Sequence, residues 1–201
     1  MTSLVALDPV APELLKVQLG DVAAPVRRLL AANEPRPERY VGLEHLRPDF
    51  LRISGWTSSS SIVGPGVCFS TGDVLFGRLR PNLRKAAYAH FEGICSPEIL
   101  VLRPTDDRLV PGFLAVLTQW TSFRDWAIRT ATGSKMPRTS WSALARFEFT
   151  LPSLTAQVDL WHAIAAFDDA IDAEQAFLRG LHTAREAVAQ ELLESFSEPD
   201  R

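Results

Sequence analysis

From Ser153 to Phe196 the chain has no proline and a single glycine, Gly180, and that stretch restricts the fold more than any other feature. Apolar side chains recur there at alternating steps of three and four: Ile164, Phe167, Ile171, Leu178, Leu181, Val188 and Leu192, with Glu174, Arg185 and Ser195 on the remaining rungs. A seam of that period marks a helix that packs lengthwise on another helix. At 1.5 Å per residue it would reach roughly 65 Å. A body built from the preceding 150 residues or so is only about 35–40 Å across. The sequence therefore predicts a helix that outruns its own body and pairs, or a break near Gly180 with two shorter helices folded back. The division is placed at Pro152, giving a body over 1–152 and a helical region over 153–201 for dimerisation.

Upstream the texture changes. The segment from Pro12 to Leu30 is short and apolar, punctuated by Gly20-Asp21. Glu34-Pro-Arg-Pro-Glu38 reads as an extended linker, because proline restricts both itself and its predecessor. Tyr40-Val-Gly-Leu has strand character, and Gly55 to Ser61 reads as a polar surface loop. Val67-Cys-Phe, Asp73-Val-Leu-Phe, Ala86-Ala-Tyr-Ala and Glu98-Ile-Leu-Val-Leu102 read as four strands of one small sheet. Phe113, Val116, Leu117, Trp120 and Phe123 predict one helix from Pro111 to about Ala131, ended by Gly133. Phe147 to Leu151 reads as a last short strand, closed by Pro152. The fold class is thus α+β: a small mixed α/β body followed by a long C-terminal coiled-coil helix.

No apolar run approaches the roughly 18–20 residues needed to span a bilayer, and the first residues lack the basic-then-apolar order of a secretory signal. Cys68 and Cys95 are the only cysteines among 201 residues. They cannot form a disulfide framework or a four-ligand zinc site, and read as small buried hydrophobes in a reducing cytoplasm. The net charge of −3 conceals an asymmetry: residues 1–150 carry 18 Lys+Arg against 14 Asp+Glu, and residues 151–201 carry 3 against 10. A basic body with an acidic tail suits a polyanion ligand and a protein-contacting helix.

Catalytic apparatus is hard to find. There is no G-x-G-x-x-G, no G-x-x-x-x-G-K-[ST] and no G-x-S-x-G, and Gly64-Pro-Gly66 is only a turn. Neither N-P-P-Y nor D-P-P-Y occurs, and no acidic pair is followed by E-x-K. His45, His90, His162 and His182 have no metal-ligand spacing, and Asp168-Asp169-x-x-Asp172 reads as a solvated helix face. The sequence predicts no catalysis, metal or cofactor of its own.

Positive charge gathers instead in two segments. Gly77-Arg-Leu-Arg-Pro-Asn-Leu-Arg-Lys85 carries Arg78, Arg80, Arg84 and Lys85 with no acid, and its Pro81-Asn82 turn should present Arg80 and Asn82 outward. Arginine forks match phosphate or the O6/N7 edge of guanine, and asparagine can pair with adenine. Thr130 to Ser140 adds Ser134, Lys135, Arg138 and Thr139, the hydroxyl-and-cation mixture that positions phosphates.

With these residues in view, the chain resembles the specificity subunit of type I restriction–modification systems. Lys16-Val-Gln-Leu-Gly-Asp-Val22 resembles the opening of that family's target recognition domain, and Tyr40-Val-Gly-Leu-Glu-His-Leu46 the strand that follows. Gly72 to Ala86, Cys95-Ser-Pro-Glu-Ile-Leu-Val-Leu-Arg-Pro104, Gly133-Ser-Lys-Met-Pro-Arg138 and Phe149-Thr-Leu-Pro-Ser-Leu-Thr-Ala-Gln157 follow in the family's order. The resemblance implies a non-catalytic reader of double-stranded DNA. It would dock methyltransferase subunits, which supply S-adenosylmethionine chemistry on adenine, and in some systems a restriction/translocase subunit. Arg78, Arg80, Asn82, Arg84 and Lys85 fall in one matched motif, and Ser134, Lys135, Arg138 and Thr139 in or beside another. The family's usual subunit has two recognition domains and two long helices. This chain has one of each and no internal repeat, so it resembles a half-subunit that pairs with a second copy or with a different half. A freestanding dimeric DNA-binding regulator, and an interaction scaffold whose basic loops meet an acidic protein, also fit the residues.

Overall fold

The computed structural model describes residues 15–30, 34–62 and 64–197, with side chains to residue 194. Pro12 to Leu14 of the first apolar segment and the Ser195 side chain lie outside what is described. The chain divides into two compact units between His162 and Ala163, while the change from sheet to helix falls at Pro152.

Among the described residues, ten short strands make three sheets. β1 (Leu15–Gln18) pairs antiparallel with β10 (Glu148–Leu151). β2 (Ala23–Val26), β9 (Ile99–Pro104), β6 (Val74–Gly77) and β7 (Ala86–Tyr88) form an antiparallel sheet in that spatial order. β4 (Thr57–Ser58), β3 (Arg39–Val41), β8 (Gly93–Cys95) and β5 (Val67–Phe69) form the other four-stranded sheet, in which β3 and β8 run parallel. The four runs expected in one sheet are therefore divided: Val67–Phe69 belongs to the second sheet and the other three to the first. The turn between them explains why. Asp73, almost wholly buried, accepts the Ser70 amide at 2.7 Å and a two-pronged bond from Arg103 at 2.6 and 2.8 Å, holding a corner where a hairpin would have kept both strands together. A buried carboxylate is tolerated only when so paired.

The two larger sheets share a core. Val41, Phe69 and Cys95 from one meet Leu75, Ala87, Ile99 and Val101 from the other. Successive strand residues point to opposite faces, so Leu75 enters this core while Phe76 enters a second one. There the Phe76 ring meets Phe123 edge-on at 5.6 Å, and Phe123 meets Phe147 at 5.1 Å. That two-sided burial accounts for the unbroken apolar run of β6, all four of whose residues are buried. Burial raises the thiol pKa of both Cys68 and Cys95, Cys95 the more strongly, so both stay protonated.

Besides a single turn α1 (Leu19–Val22), two helices stand where one was expected, α2 (Pro111–Gln119) and α3 (Thr121–Arg129). Trp120 between them is extended, at φ −64° and ψ 132°. One extended residue keeps the apolar spacing while turning the axis, which lets Phe123 drop between Phe76 and Phe147. After the short α4 (Trp141–Leu144) and β10, the long helix α5 runs unbroken from Leu154 to Ser197, through Gly180. Its root is fixed to the body by Gln157, fully buried, whose amide oxygen accepts the Val110 amide at 2.9 Å and whose nitrogen donates to the carbonyls of Arg108 and Pro152 at 2.8 and 2.9 Å. One turn on, the Trp161 ring lies so close to Gly112 that any side chain there would collide with it. Beyond the root, Phe167, Ile171, Leu178, Leu181, Val188 and Leu192 of the ladder are all exposed, and Ile164 is half-buried. Among the described residues no helix is long and apolar enough to cross a membrane.

Candidate nucleic-acid interface

The two basic segments, some 50 residues apart in sequence, are joined edge to edge. The Arg80 amide donates to the Pro137 carbonyl at 2.7 Å and the Thr139 amide to the Arg78 carbonyl at 3.0 Å, while the Arg78 amide donates to the Glu98 carbonyl at 2.9 Å. Leu79 and Arg138 face each other as a bridge, and Thr132 and Arg138 close the second segment on itself. Gly133, at φ +97°, makes that closing turn in the left-handed region where a side chain would be strained.

The first segment is a 3-10 turn, Pro81–Leu83, between two left-handed residues, Arg80 at φ 50° and Arg84 at φ 55°. Among the described residues the only other non-glycine with positive φ is Asp49, at φ 56°, and it belongs to the same knot. Its amide donates to the Arg84 carbonyl at 3.2 Å, and its carboxylate pairs with Arg84 at 2.6 Å and with Arg124 of α3 at 2.7 Å. Left-handed non-glycine residues cost about 1–3 kcal/mol each and persist where the surroundings over-determine them, most often at functional sites. Buried Pro81, the Asp49 pairs and the bond to Pro137 supply that determination here.

Arg80, Asn82, Ser134 and Lys135 lie exposed on the joined segments and make no ion pair or side-chain hydrogen bond among the described residues. Arg78 is half-buried, and its Nε has no partner. The other four candidates are placed differently from expectation. Lys85 donates its ammonium to the Leu43 carbonyl at 2.6 Å, so its charge is turned back into the body. Arg84 is held by Asp49. Arg138 grips the Glu98 carboxylate through Nε and Nη2 at 2.8–3.1 Å. Thr139 is fully buried and cannot reach a ligand. The carboxylates that hold these arginines, Asp49 and Glu98, carry no signal in the sequence, because each meets its arginine across a long loop.

The Arg138 guanidinium holds the Glu98 carboxyl below its ordinary pKa, chiefly by hydrogen bonding, against a smaller opposing effect of burial. A carboxylate depressed in the folded state stabilises above its unfolded value, near about 4.3 for Glu, and loses that contribution as the pH falls through the lowered value. Acidification below about pH 4 should therefore loosen residues 132–138. Amide hydrogen exchange across that segment in Glu98→Gln should already be fast at neutral pH and lack the acid-dependent rise.

No family model matches the chain. Over 140 residues it is 26% identical to the specificity subunit of the type I restriction enzyme EcoDI of Escherichia coli, an alignment that takes in 65% of this chain and 30% of that protein. The HsdS subunit of Thermoanaerobacter tengcongensis has the same fold, with a TM-score of 0.65 at 19% identity over 94% of this chain and 51% of that one. A chain from a structure of complex assembly and conformational transition in the type I R-M system matches at a TM-score of 0.61 and 18% identity, over 93% of this chain and 51% of that one. The chain thus resembles type I specificity subunits in sequence and in fold, and spans about half the length of the solved chains it matches.

Proposed function

We propose that this chain is a half-length specificity subunit of a type I restriction–modification system: a DNA reader without catalysis of its own, one recognition body and one long helix per chain. The observation that carries the reading is the joining of two distant basic segments into one strained tip that leaves Arg80, Asn82 and Lys135 unpaired. In this reading each body reads one half of a bipartite site on double-stranded DNA. Arg80 and Asn82 present the donors that base edges in the major groove accept, and Lys135 and Ser134 suit phosphate oxygens. The 153–201 region serves pairing with a second copy and docking of methyltransferase subunits. S-adenosylmethionine chemistry then lies wholly on the partner, in the cytoplasm, with or without a restriction subunit. The division at Pro152 separates the reading part from the assembling part.

The test is adenine methylation by a candidate methyltransferase subunit from the same organism, with and without this chain. Methylation at a defined sequence should require both, and the chain alone should transfer no label from S-adenosylmethionine. Arg80→Ala should cost about 1–3 kcal/mol at one position of the site, whereas Lys135→Ala should weaken binding to every sequence and flatten the salt slope by about one. Sequence-specific binding with no effect on any methyltransferase would favour the freestanding regulator.

A further inference from the structure

Beside the joined segments lies a cavity of about 440 Å³, open on one side, between the β2–β9 edge and the start of α4. Its floor is apolar, from Pro25 and Val26 to Ile99, Leu100 and Val101. Its polar groups are Arg27, Arg78, Ser140 and Ser142, with Trp141 on the wall, and no carboxylate lines it. Arg78 belongs both to this groove and to the basic tip, since its carbonyl accepts the Thr139 amide and its own amide donates to the carbonyl of Glu98, between the lining residues Pro97 and Ile99. The groove is thus continuous with the reading surface. Two further features stand at that shared wall. Arg78 Nε is buried with no hydrogen-bond partner, a cost the protein does not offset internally. Arg27 is exposed and makes no ion pair among the described residues, whereas its neighbour Arg28 is taken by Glu34 at 3.2 Å.

We infer that this groove holds a phosphodiester stretch of the same DNA, flanking the bases that Arg80 and Asn82 face. The inference rests on the DNA-reading function proposed above. Arg27 and Arg78 take the phosphates, the Ser140 and Ser142 hydroxyls donate to their oxygens, and the apolar floor receives deoxyribose. Charge decides the occupant: the carboxylate near Arg78, that of Glu98, is already gripped by Arg138, so Arg27 and Arg78 leave an excess of positive charge that attracts a polyanion, and continuity with the tip supplies the strand. The contact fixes register and carries no sequence information.

The experiment is a binding titration of the full chain on a random-sequence 40-bp duplex across a salt series. Arg27→Gln should weaken binding several-fold at low salt and flatten the slope of log K against log salt by about one. Arg27→Lys should restore the slope, since a phosphate contact needs a charge and not a fork. Arg27 is exposed, so neither change threatens the fold, and unchanged circular dichroism should show this. An unchanged slope in Arg27→Gln, with Lys135→Ala still weakened, overturns the groove and leaves the reading tip standing. Normal duplex binding with lost methyltransferase capture also overturns it, in favour of an acidic peptide of the partner. No duplex binding by the unsubstituted chain overturns the DNA-reading function itself, and the groove with it.

Discussion

Leu178→Glu and Leu181→Glu together should abolish the pairing proposed for the chain. Both lie in the exposed part of the α5 ladder, about half of each side chain open to solvent, with exposed Phe177 beside them. Pairing buries the exposed half of each leucine, worth about 0.75–1.5 kcal/mol. A symmetric pair loses four, or about 3–6 kcal/mol, and each 1.4 kcal/mol is a factor of about ten. The dissociation constant should therefore rise by a factor of more than about one hundred, the carboxylates set into the seam raise it further, and sedimentation should show a monomer. A dimer retained by the double variant would sink the helix as the pairing element. The charged rungs refine the geometry. Glu174 and Arg185 lie symmetrically about the Arg179–Gly180 junction, so antiparallel helices crossing there would set each glutamate near the partner's arginine. Reversing either charge alone should weaken pairing, and reversing both should restore it. A pair with twofold symmetry would read two half-sites in inverted orientation. A methylated site without inverted symmetry would point to a different half as partner.

The second large effect belongs to Phe123. It is fully buried, edge-on to both Phe76 and Phe147, and no other side chain among the described residues ties α3, β6 and the approach to β10 together by ring contacts in this way. Phe123→Ala should cost about 3–5 kcal/mol, a large part of the roughly 5–15 kcal/mol that holds a domain of this size folded. The denaturation midpoint reports it. Because Arg124 follows directly and grips Asp49, the loss should also loosen Arg84 and the strained turn behind Arg80. Site-specific binding should then fall in Phe123→Ala even where the protein remains folded. Wild-type stability would show that the aromatic cluster does not support the tip.

The long helix is readable to within about two residues, because a proline-free seam of fixed period leaves few alternatives. Strands β5, β6, β7, β9 and β10 are readable from their β-branched and aromatic runs. β8 is not. Gly93-Ile-Cys95 is too short to show alternation, and it exists because Arg39–Val41 and Val67–Phe69 come to lie on either side of it. β1 and β2 escape for a similar reason, since their partners lie far along the chain, at Glu148–Leu151 and Ile99–Pro104. The bend at Trp120 hides behind intact spacing. At the candidate interface, composition points to the right segments but gives every cation the same standing. Only the fold shows that Asp49, Glu98 and the Leu43 carbonyl occupy Arg84, Arg138 and Lys85, leaving Arg80 and Lys135 open.

On the DNA-reading function proposed above, the ladder between β1 and β10 has a consequence for how new specificities can arise. Leu15 lies opposite Leu151, so the described chain crosses into the body and out of it at one point, on adjacent strands about 5 Å apart. Everything between is a closed loop of polypeptide on a two-strand stalk, and Gln157 secures the helix just beyond that stalk. Two genetic crossovers, one in the codons of each stalk strand, would replace the whole loop as a cassette. The incoming body would need only to present the same pair of strands at the same spacing. The helix would keep its root and its seam, so a lineage could trade what it reads without renegotiating how it assembles.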